Sequence, residues 1–218
     1  MAGGAGEICF FGRNMDINNK NDHAGKGRNA DAGHVPYLHA PYLHAPRLRL
    51  RALEPADVDL LYTWENDPSV WNVSNTLTPF SRFQLEEYVL NAQNDIYATK
   101  QLRLIVEMLT DSEEAQPIGT IDLFDFDPVH ARAGVGILIR EQFRDRGYAA
   151  EALDEFIRYA FGILRLHQLY CNISPDNEAS LSLFRKSGFV QCGIKKDWIN
   201  DGDQWQEEWM FQLIRKNE

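Results

Sequence analysis

Cysteine is scarce in this sequence, and its few cysteines do not have the spacing of a metal-binding motif. The three residues are Cys9, Cys171 and Cys192. An odd number without a close pair indicates neither a disulfide framework nor a zinc site, so we expect no metal. Because Cys171 lies inside an apolar strand pattern, a buried thiol is favoured over a catalytic one.

Long hydrophobic runs are also absent. No stretch approaches the eighteen or so apolar residues of a membrane span. The N-terminus lacks the basic region and apolar core of a secretory signal, so we expect a cytoplasmic protein without a membrane partner. The 218 residues are 44% hydrophobic and 25% charged, which is typical of one globular domain with a substantial core.

Positive charge is in short supply. Lysine and arginine number 22 against 32 aspartates and glutamates, giving a net charge of -10. Residues 1–46 are electrically balanced, so the excess lies in the remainder of the chain. An acidic domain repels nucleic acid and attracts cations, and we expect no nucleic-acid partner. Two explanations stay open, because the acidity either steers a cationic substrate or only maintains solubility.

Residues 1–46 have no sustained hydrophobic period. They are rich in glycine, asparagine, alanine and aspartate, and they contain a tandem Pro-Tyr-Leu-His-Ala repeat at 36–40 and 41–45. This composition predicts a disordered extension, with the folded domain over residues 47–218.

The pattern after residue 46 predicts a mixed α/β fold. Strands are expected at 48–52, 101–109, 117–126, 130–140, 167–174, 189–199 and 205–214. Helices are expected at 55–65, 80–92, 148–162 and 177–187. This order predicts a mostly antiparallel central sheet with one parallel, right-handed crossover, flanked by about four helices.

The stretch 134–151, GVGILIREQFRDRGYAAE, reads as strand, turn and helix. Branched residues recur at period two from Val135 to Ile139, and apolar residues follow a helical period from Tyr148. The period changes at 144–147, Arg-Asp-Arg-Gly. A helix N-terminus offers unpaired amides and a positive dipole end, and glycine permits close approach, so this turn suits a phosphate.

The pattern Arg144-x-x-Gly147-x-Ala149 resembles the acyl-CoA pyrophosphate loop of the GNAT superfamily of N-acetyltransferases, written Q/R-x-x-G-x-G/A. Further on, Asn177-x-x-Ser180 and the run 184–189 resemble that family's next helix and its exit. The resemblance covers roughly residues 47 to 215 in element order. It is closest to the spermidine N-acetyltransferases and the N-terminal acetyltransferases of ribosomal proteins. It implies a GNAT-like fold and acetyl-CoA as co-substrate.

The resemblance also implies which residues bind acetyl-CoA. The backbone of Leu138 and Ile139 would pair with the pantetheine arm as a neighbouring strand does, and the turn amides would hold the pyrophosphate. The implied set is Leu138, Ile139, Arg144, Asp145, Arg146, Gly147, Tyr148, Ala149 and Asn177. The alternative is an ordinary strand-turn-helix with exposed arginines.

The proton-transfer positions depart from the family pattern. Spermidine acetyltransferases usually have a tyrosine acid where this chain has Phe184, and many GNAT enzymes have a glutamate base where it has Gly134. Neither residue can transfer a proton. Ser180 matches the serine that the ribosomal-protein enzymes use as an acid, so it is the catalytic candidate, although a serine in a first helical turn is often a cap.

Two aspartates and a tryptophan–glutamate pair are candidates for the acceptor side. Asp122 and Asp125 lie where the spermidine enzymes carry glutamates, and at three residues apart on a strand at most one points into a shared cleft. Asp122 is a catalytic candidate, and Asp125 is a candidate to hold an ammonium or relay its proton through water. The alternative for both is a solvated strand face. Trp64 and Glu65 suit a flexible cation, unless Trp64 packs in the core.

Three functions are therefore weighed. The leading hypothesis is an acetyl-CoA-dependent N-acetyltransferase acting on a small polyamine such as spermidine. The missing tyrosine and the Asn177-x-x-Ser180 pattern favour a protein N-terminal acetyltransferase, while the loss of both proton-transfer residues favours a non-catalytic acyl-CoA-binding protein. Domains of this type often form homodimers, so a second copy is a possible partner beside a small cationic amine.

Overall fold

A computed structural model of the chain describes residues 42–69, 71, 78–92, 94–110, 115–200, 202 and 204–216. The strands are β1 Tyr42–His44, β2 Leu48–Ala52, β3 Leu102–Met108, β4 Gln116–Asp127, β5 Arg132–Ile139, β6 Gln168–Ile173, β7 Val190–Asn200 and β8 Trp205–Ile214. The helices are α1 Val58–Glu65, α2 Arg82–Asn91, α3 Ile96–Thr99, α4 Tyr148–Gly162 and α5 Glu178–Lys186, with short 3-10 turns at Pro55–Asp57 and Glu141–Phe143. Within these ranges no helix has the length and apolar character needed to cross a membrane.

The strands form one sheet in the order β1-β2-β3-β4-β5-β6-β8-β7. Neighbouring strands pair antiparallel, except that β5 and β6 are parallel and are joined by α4. The predicted mixed fold with one parallel crossover is confirmed. The four-residue helix α3 was not predicted, because so short an element leaves no hydrophobic period to detect.

The sheet begins earlier than predicted. Strand β1 pairs antiparallel with β2, and the amide of Ala45 donates to the carbonyl of Leu48 at 2.9 Å. Leu43 packs against the core. The predicted boundary at residue 46 is therefore too late, since the strand Tyr42–His44 forms one edge of the sheet. The remaining part of the predicted extension, residues 1–41, lies outside the described residues.

The sheet carries a hydrophobic cluster on each face. Leu104 and Val106 of β3 belong to the larger cluster, which includes buried residues of α4 and α5. Ile105, which lies between them and points the other way, belongs to a smaller cluster with Leu61 of α1 and Leu85 of α2. Helices α1 and α2 therefore cover one face of the sheet, while α4 and α5 cover the other.

A buried ion cluster ties α1 to the sheet. Arg103 of β3 donates from Nη1 to Glu65 Oε1 at 2.6 Å and from Nε to Asp122 Oδ1. All three residues are at most 5% exposed. Burial raises the pKa of Glu65 above its ordinary value; the charge of Arg103 opposes this and that of Asp122 adds to it. One guanidinium therefore pairs with both carboxylates.

We expect Arg103→Met to lower the free energy of unfolding by about 3–5 kcal/mol at pH 7, because it removes the buried cation that pairs with Glu65 and Asp122. Without the guanidinium the folded-state pKa of Glu65 rises further above its unfolded value. The variant then loses stability as pH rises, and its deficit should shrink between pH 7 and pH 5. Denaturant unfolding followed by circular dichroism at both pH values measures this.

Arg82→Met is the matched control, since Arg82 pairs with Asp59 on the surface, where both side chains are more than half exposed. It should cost less than about 1 kcal/mol. Equal losses for the two variants, or a deficit at Arg103 that does not change with pH, would contradict the role given to the buried cluster.

Candidate active site

A gap opens in the sheet between β5 and β6. The two strands pair only at Arg132–Gly134 with Gln168–Tyr170. Beyond that point β5 continues alongside β4 as far as Ile139, and β6 continues alongside β8 as far as Ile173. The facing edges of β5 and β6 are therefore not joined to each other past Gly134.

The ladder of β5 decides which backbone groups face this gap. The amide of Arg140 donates to the carbonyl of Ile118 on the β4 side at 2.9 Å. Because antiparallel pairing alternates, Leu138 also directs its backbone groups to β4, and Ile137 and Ile139 direct theirs to the gap. Of the two residues predicted to pair with a pantetheine arm, only Ile139 has that orientation. The hydrophobic pattern of the sequence does not show which residues of β5 hydrogen-bond to β4 and which face the gap.

The predicted phosphate turn lies at the end of β5. Gly147 has φ +80° and is the N-cap of α4, and as a glycine it makes no side-chain cap hydrogen bond. The first amides of α4 are therefore open, as a phosphate site requires. Arg144 donates from Nε to the carbonyl of Ile139 at 2.9 Å, which ties the turn to the gap-facing edge of β5. Asp145 and Arg146 are exposed beside it.

A third arginine joins the turn from the start of β2. Arg47 donates from Nε to Glu151 Oε2 at 2.8 Å and from Nη1 to the carbonyl of Arg146 at 3.1 Å. Its guanidinium carbon lies 4.8 Å from the ring centre of Tyr148. No local sequence pattern points to Arg47, because its partners are about a hundred positions away along the chain.

Two predicted acceptor residues are already engaged inside the protein. Trp64 is 5% exposed, and the guanidinium carbon of Arg140 lies 5.7 Å from the centre of its ring. Glu65 is 1% exposed and is bonded to Arg103. Trp64 therefore packs in the core, and neither side chain offers an open surface to an ammonium. The same ion cluster contains Asp122, the predicted catalytic carboxylate.

The predicted acid Ser180 is enclosed. Asn177 caps α5, its Oδ1 accepting from the amide of Ser180 at 3.0 Å, and both residues are buried. The Ser180 hydroxyl has no hydrogen-bond partner among the residues that the structure describes. Phe184 is also buried and packs edge-on against Phe189. A hydroxyl with 0% exposure cannot reach a thiolate in the gap without a rearrangement of α5.

The predicted acceptor residue Asp125 is exposed and lies near the closed end of the gap. The pairing of β4 with β5 shifts register after Phe124, and Asp125 adopts φ +50° at this bulge. Tyr170 of β6 donates its hydroxyl to Asp125 Oδ2 at 2.9 Å. The sequence does not predict a role for Tyr170, since a tyrosine within a strand pattern carries no functional signal of its own.

Phe124 explains the glycine at 134. The Phe124 ring covers Gly134, and a Cβ atom at that position would overlap it. The same ring meets Tyr170 edge-on, with 5.9 Å between ring centroids. The position where many family members carry a glutamate is thus filled by an aromatic ring from the neighbouring strand. In the part of the chain that the structure describes, no group of acidic, cysteine or histidine residues is suited to a metal ion.

A split sheet beside an open helix N-terminus can hold a long ligand that ends in a phosphate. The family model described as an acetyltransferase (GNAT) domain matches residues 47–190. The chain belongs to this family, and it is an N-acetyltransferase that uses acetyl-CoA.

The curated relatives that match this chain include N-acetyltransferases with and without a named substrate. The chain is 26% identical over 169 residues to the uncharacterized N-acetyltransferase p20 of Bacillus licheniformis, covering 78% of this chain and 93% of the relative. It is 29% identical over 143 residues to the spermidine N(1)-acetyltransferase of Escherichia coli K12, covering 65% of this chain and 72% of the relative. The crystal structure of the Vibrio cholerae spermidine N-acetyltransferase with CoA and spermine has the same fold, with a TM-score of 0.68 at 24% identity over 77% of this chain and 95% of that one.

We expect Ser180→Ala to leave the fold at least as stable as the wild type, because it removes a buried hydroxyl that has no partner. Acetyl-transfer turnover should fall by less than about tenfold, below the usual contribution of a positioned acid. Thermal melts and steady-state kinetics test both statements. A loss of about a hundredfold in turnover with an unchanged melting temperature would restore Ser180 as the acid.

Proposed function

We propose that this N-acetyltransferase acetylates a primary amine of a small polyamine such as spermidine. The observation that carries the proposal is the exposed carboxylate of Asp125 near the closed end of the gap. The curated relatives named spermidine N(1)-acetyltransferases support the same substrate class.

The residues along the gap fit acetyl-CoA. The open amides that follow Gly147 would hold the pyrophosphate, and Arg144 and Arg146 supply charge of the right sign. The gap-facing backbone groups of Ile137 and Ile139 would pair with the pantetheine arm, as an added strand does. Bound in this way, acetyl-CoA supplies the activated acetyl group of a thioester.

The charges around the acceptor side favour a cation. The partner of Asp125 is a hydroxyl and not a cation, so this bond leaves the carboxylate suited to an ammonium. Asp127 is committed to the amides of the following turn and to Arg132 at 3.2 Å. With Glu65 and Asp122 sharing a buried arginine, Asp125 is the predicted acceptor carboxylate with the freedom to bind substrate. The net charge of -10 adds long-range attraction for a polyamine.

The rival protein N-terminal acetyltransferase depended partly on Ser180. Because that hydroxyl is enclosed, the residue that suggested this rival is not accessible as an acid. The rival remains an outcome of the acceptor experiment described below.

For the co-substrate side, we expect Gly147→Asp to weaken acetyl-CoA binding by more than about tenfold, since it adds a negative charge where the phosphate oxygens would lie. Gly147→Asn has the same shape without the charge and tolerates a positive φ, so it should lose much less. Isothermal calorimetry with acetyl-CoA measures both variants.

Gly202→Asp is the control, because Gly202 also has a positive φ, at +99°, but lies in the turn between β7 and β8. It should bind acetyl-CoA like the wild type. Equal affinities for the folded Asp and Asn variants at 147 would contradict the phosphate site.

For the acceptor side, we expect spermidine to be a better acceptor than a peptide with an N-terminal alanine, and its advantage should fall as salt is raised, since screening weakens attraction to the acidic domain. Release of free CoA thiol at two ionic strengths measures this. A peptide preferred at both salt concentrations would establish the N-terminal acetyltransferase instead. Binding of acetyl-CoA without thiol release for any amine would leave only an acyl-CoA-binding protein.

A further inference from the structure

The proposed reaction needs a group that takes a proton from the acceptor ammonium, and the family positions do not supply one. Phe184 and Gly134 carry no proton-transfer group, and the Ser180 hydroxyl is enclosed. We propose that Tyr170 and Asp125 form the proton relay of this enzyme, with the Tyr170 hydroxyl passing a proton from the acceptor amine to the Asp125 carboxylate. This inference rests on the proposed function.

The pair lies where the reaction must occur if acetyl-CoA follows the gap. Gly134 and Tyr170 form the last register pair between β5 and β6 before the strands separate. From Ile139, beside the phosphate turn, to Gly134 the strand spans roughly 17 Å. An extended pantetheine arm bridges such a distance. A thioester carried along the gap-facing edge of β5 therefore ends close to Tyr170.

The geometry suits a relay. The Tyr170 hydroxyl donates to Asp125 Oδ2 at 2.9 Å, and the lone pairs of the phenol oxygen accept from an ammonium N–H. Asp125 reaches the hydroxyl because a β-bulge gives it φ +50°, a conformation that aspartate and asparagine tolerate. The edge contact with Phe124, which Gly134 allows, holds the Tyr170 ring.

Proton and electron transfers balance in this scheme. One ammonium proton moves to the Tyr170 oxygen as the tyrosine's own proton moves to Asp125. The freed nitrogen lone pair forms a bond to the acetyl carbon, and the C–S bond breaks with its electron pair on sulfur. A second nitrogen proton ends on that sulfur as the thiol, and Asp125 returns its proton to water.

The surroundings keep the phenol protonated between turnovers. Burial raises the pKa of Tyr170 above its ordinary value, and the charge of Asp125 adds to this, while Arg132 opposes it. Arg132 of β5, which acts on Tyr170, is ion-paired with Asp127 of β4, and Asp127 accepts a hydrogen bond from the amide of His130 in the turn between the two strands. On β8 the register partner of Tyr170 is the neutral Gln212. Tyr170 therefore has a proton to pass on at neutral pH.

The test is the pH profile of Tyr170→Phe in the full chain, measured with the best acceptor of the panel. We expect kcat/KM at pH 7 to fall about a hundredfold or more, as for the loss of a positioned proton-transfer group. The deficit should shrink toward the pKa of the acceptor amine, near 10 for a polyamine, because solvent then supplies the neutral amine. Acetyl-CoA affinity, measured by calorimetry, should not change.

Asp125→Asn provides a second variant, since asparagine keeps the backbone conformation and removes the proton acceptor. It should show the same recovery at high pH. Tyr159→Phe, in α4, is the matched control and should match the wild type throughout.

A deficit that is constant from pH 6 to pH 10, or unchanged activity of Tyr170→Phe at pH 7, overturns the relay while leaving the proposed function intact. A wild-type chain that acetylates no amine at any pH overturns both. Selective loss of polyamine acetylation in Asp125→Asn at every pH would mean that Asp125 only binds substrate, which also overturns the relay.

Discussion

The site depends on the early end of the parallel pairing between β5 and β6. Three register pairs hold the two strands together, after which each follows a different antiparallel neighbour. A fully paired sheet would use the backbone groups of Ile137 and Ile139 internally. Separation leaves them facing an open edge that runs from the phosphate turn toward Gly134 and Tyr170. The position of the cofactor site is thus a property of sheet topology as well as of the turn residues.

Arginines decide which carboxylates remain available to a substrate. Arg103 binds both Glu65 and Asp122 beneath α1, where neither charge is accessible. Removing charges from water is costly unless they are paired, so these residues serve the attachment of the helix. Asp125 escapes this arrangement because the β4 bulge turns it outward. The acidity of a domain therefore does not by itself identify an acceptor site.

The substitutions at the family's proton-transfer positions are linked through packing. With glycine at 134, the Phe124 ring lies over the strand and contacts Tyr170, and Phe184 is buried against Phe189. The space that a glutamate would occupy is filled by an aromatic side chain. The accessible polar groups at the closed end of the gap therefore lie on β6 and at the β4 bulge.

The sequence by itself determined the strand, turn and helix of residues 134–151. The features that specify these elements are the hydrophobic period, the glycine with positive φ and the helix N-terminus, and each depends on residues that are neighbours along the chain. It also predicted the crossover and the family. Only the tertiary structure decided that Arg47 bonds to Glu151, 104 residues away, and that Tyr170 bonds to Asp125, 45 residues away. These contacts, like the pairing of β1 and the enclosure of Ser180, depend on which strands pair and in what register. No local pattern of residues contains that information, since it is set by the packing of the whole sheet.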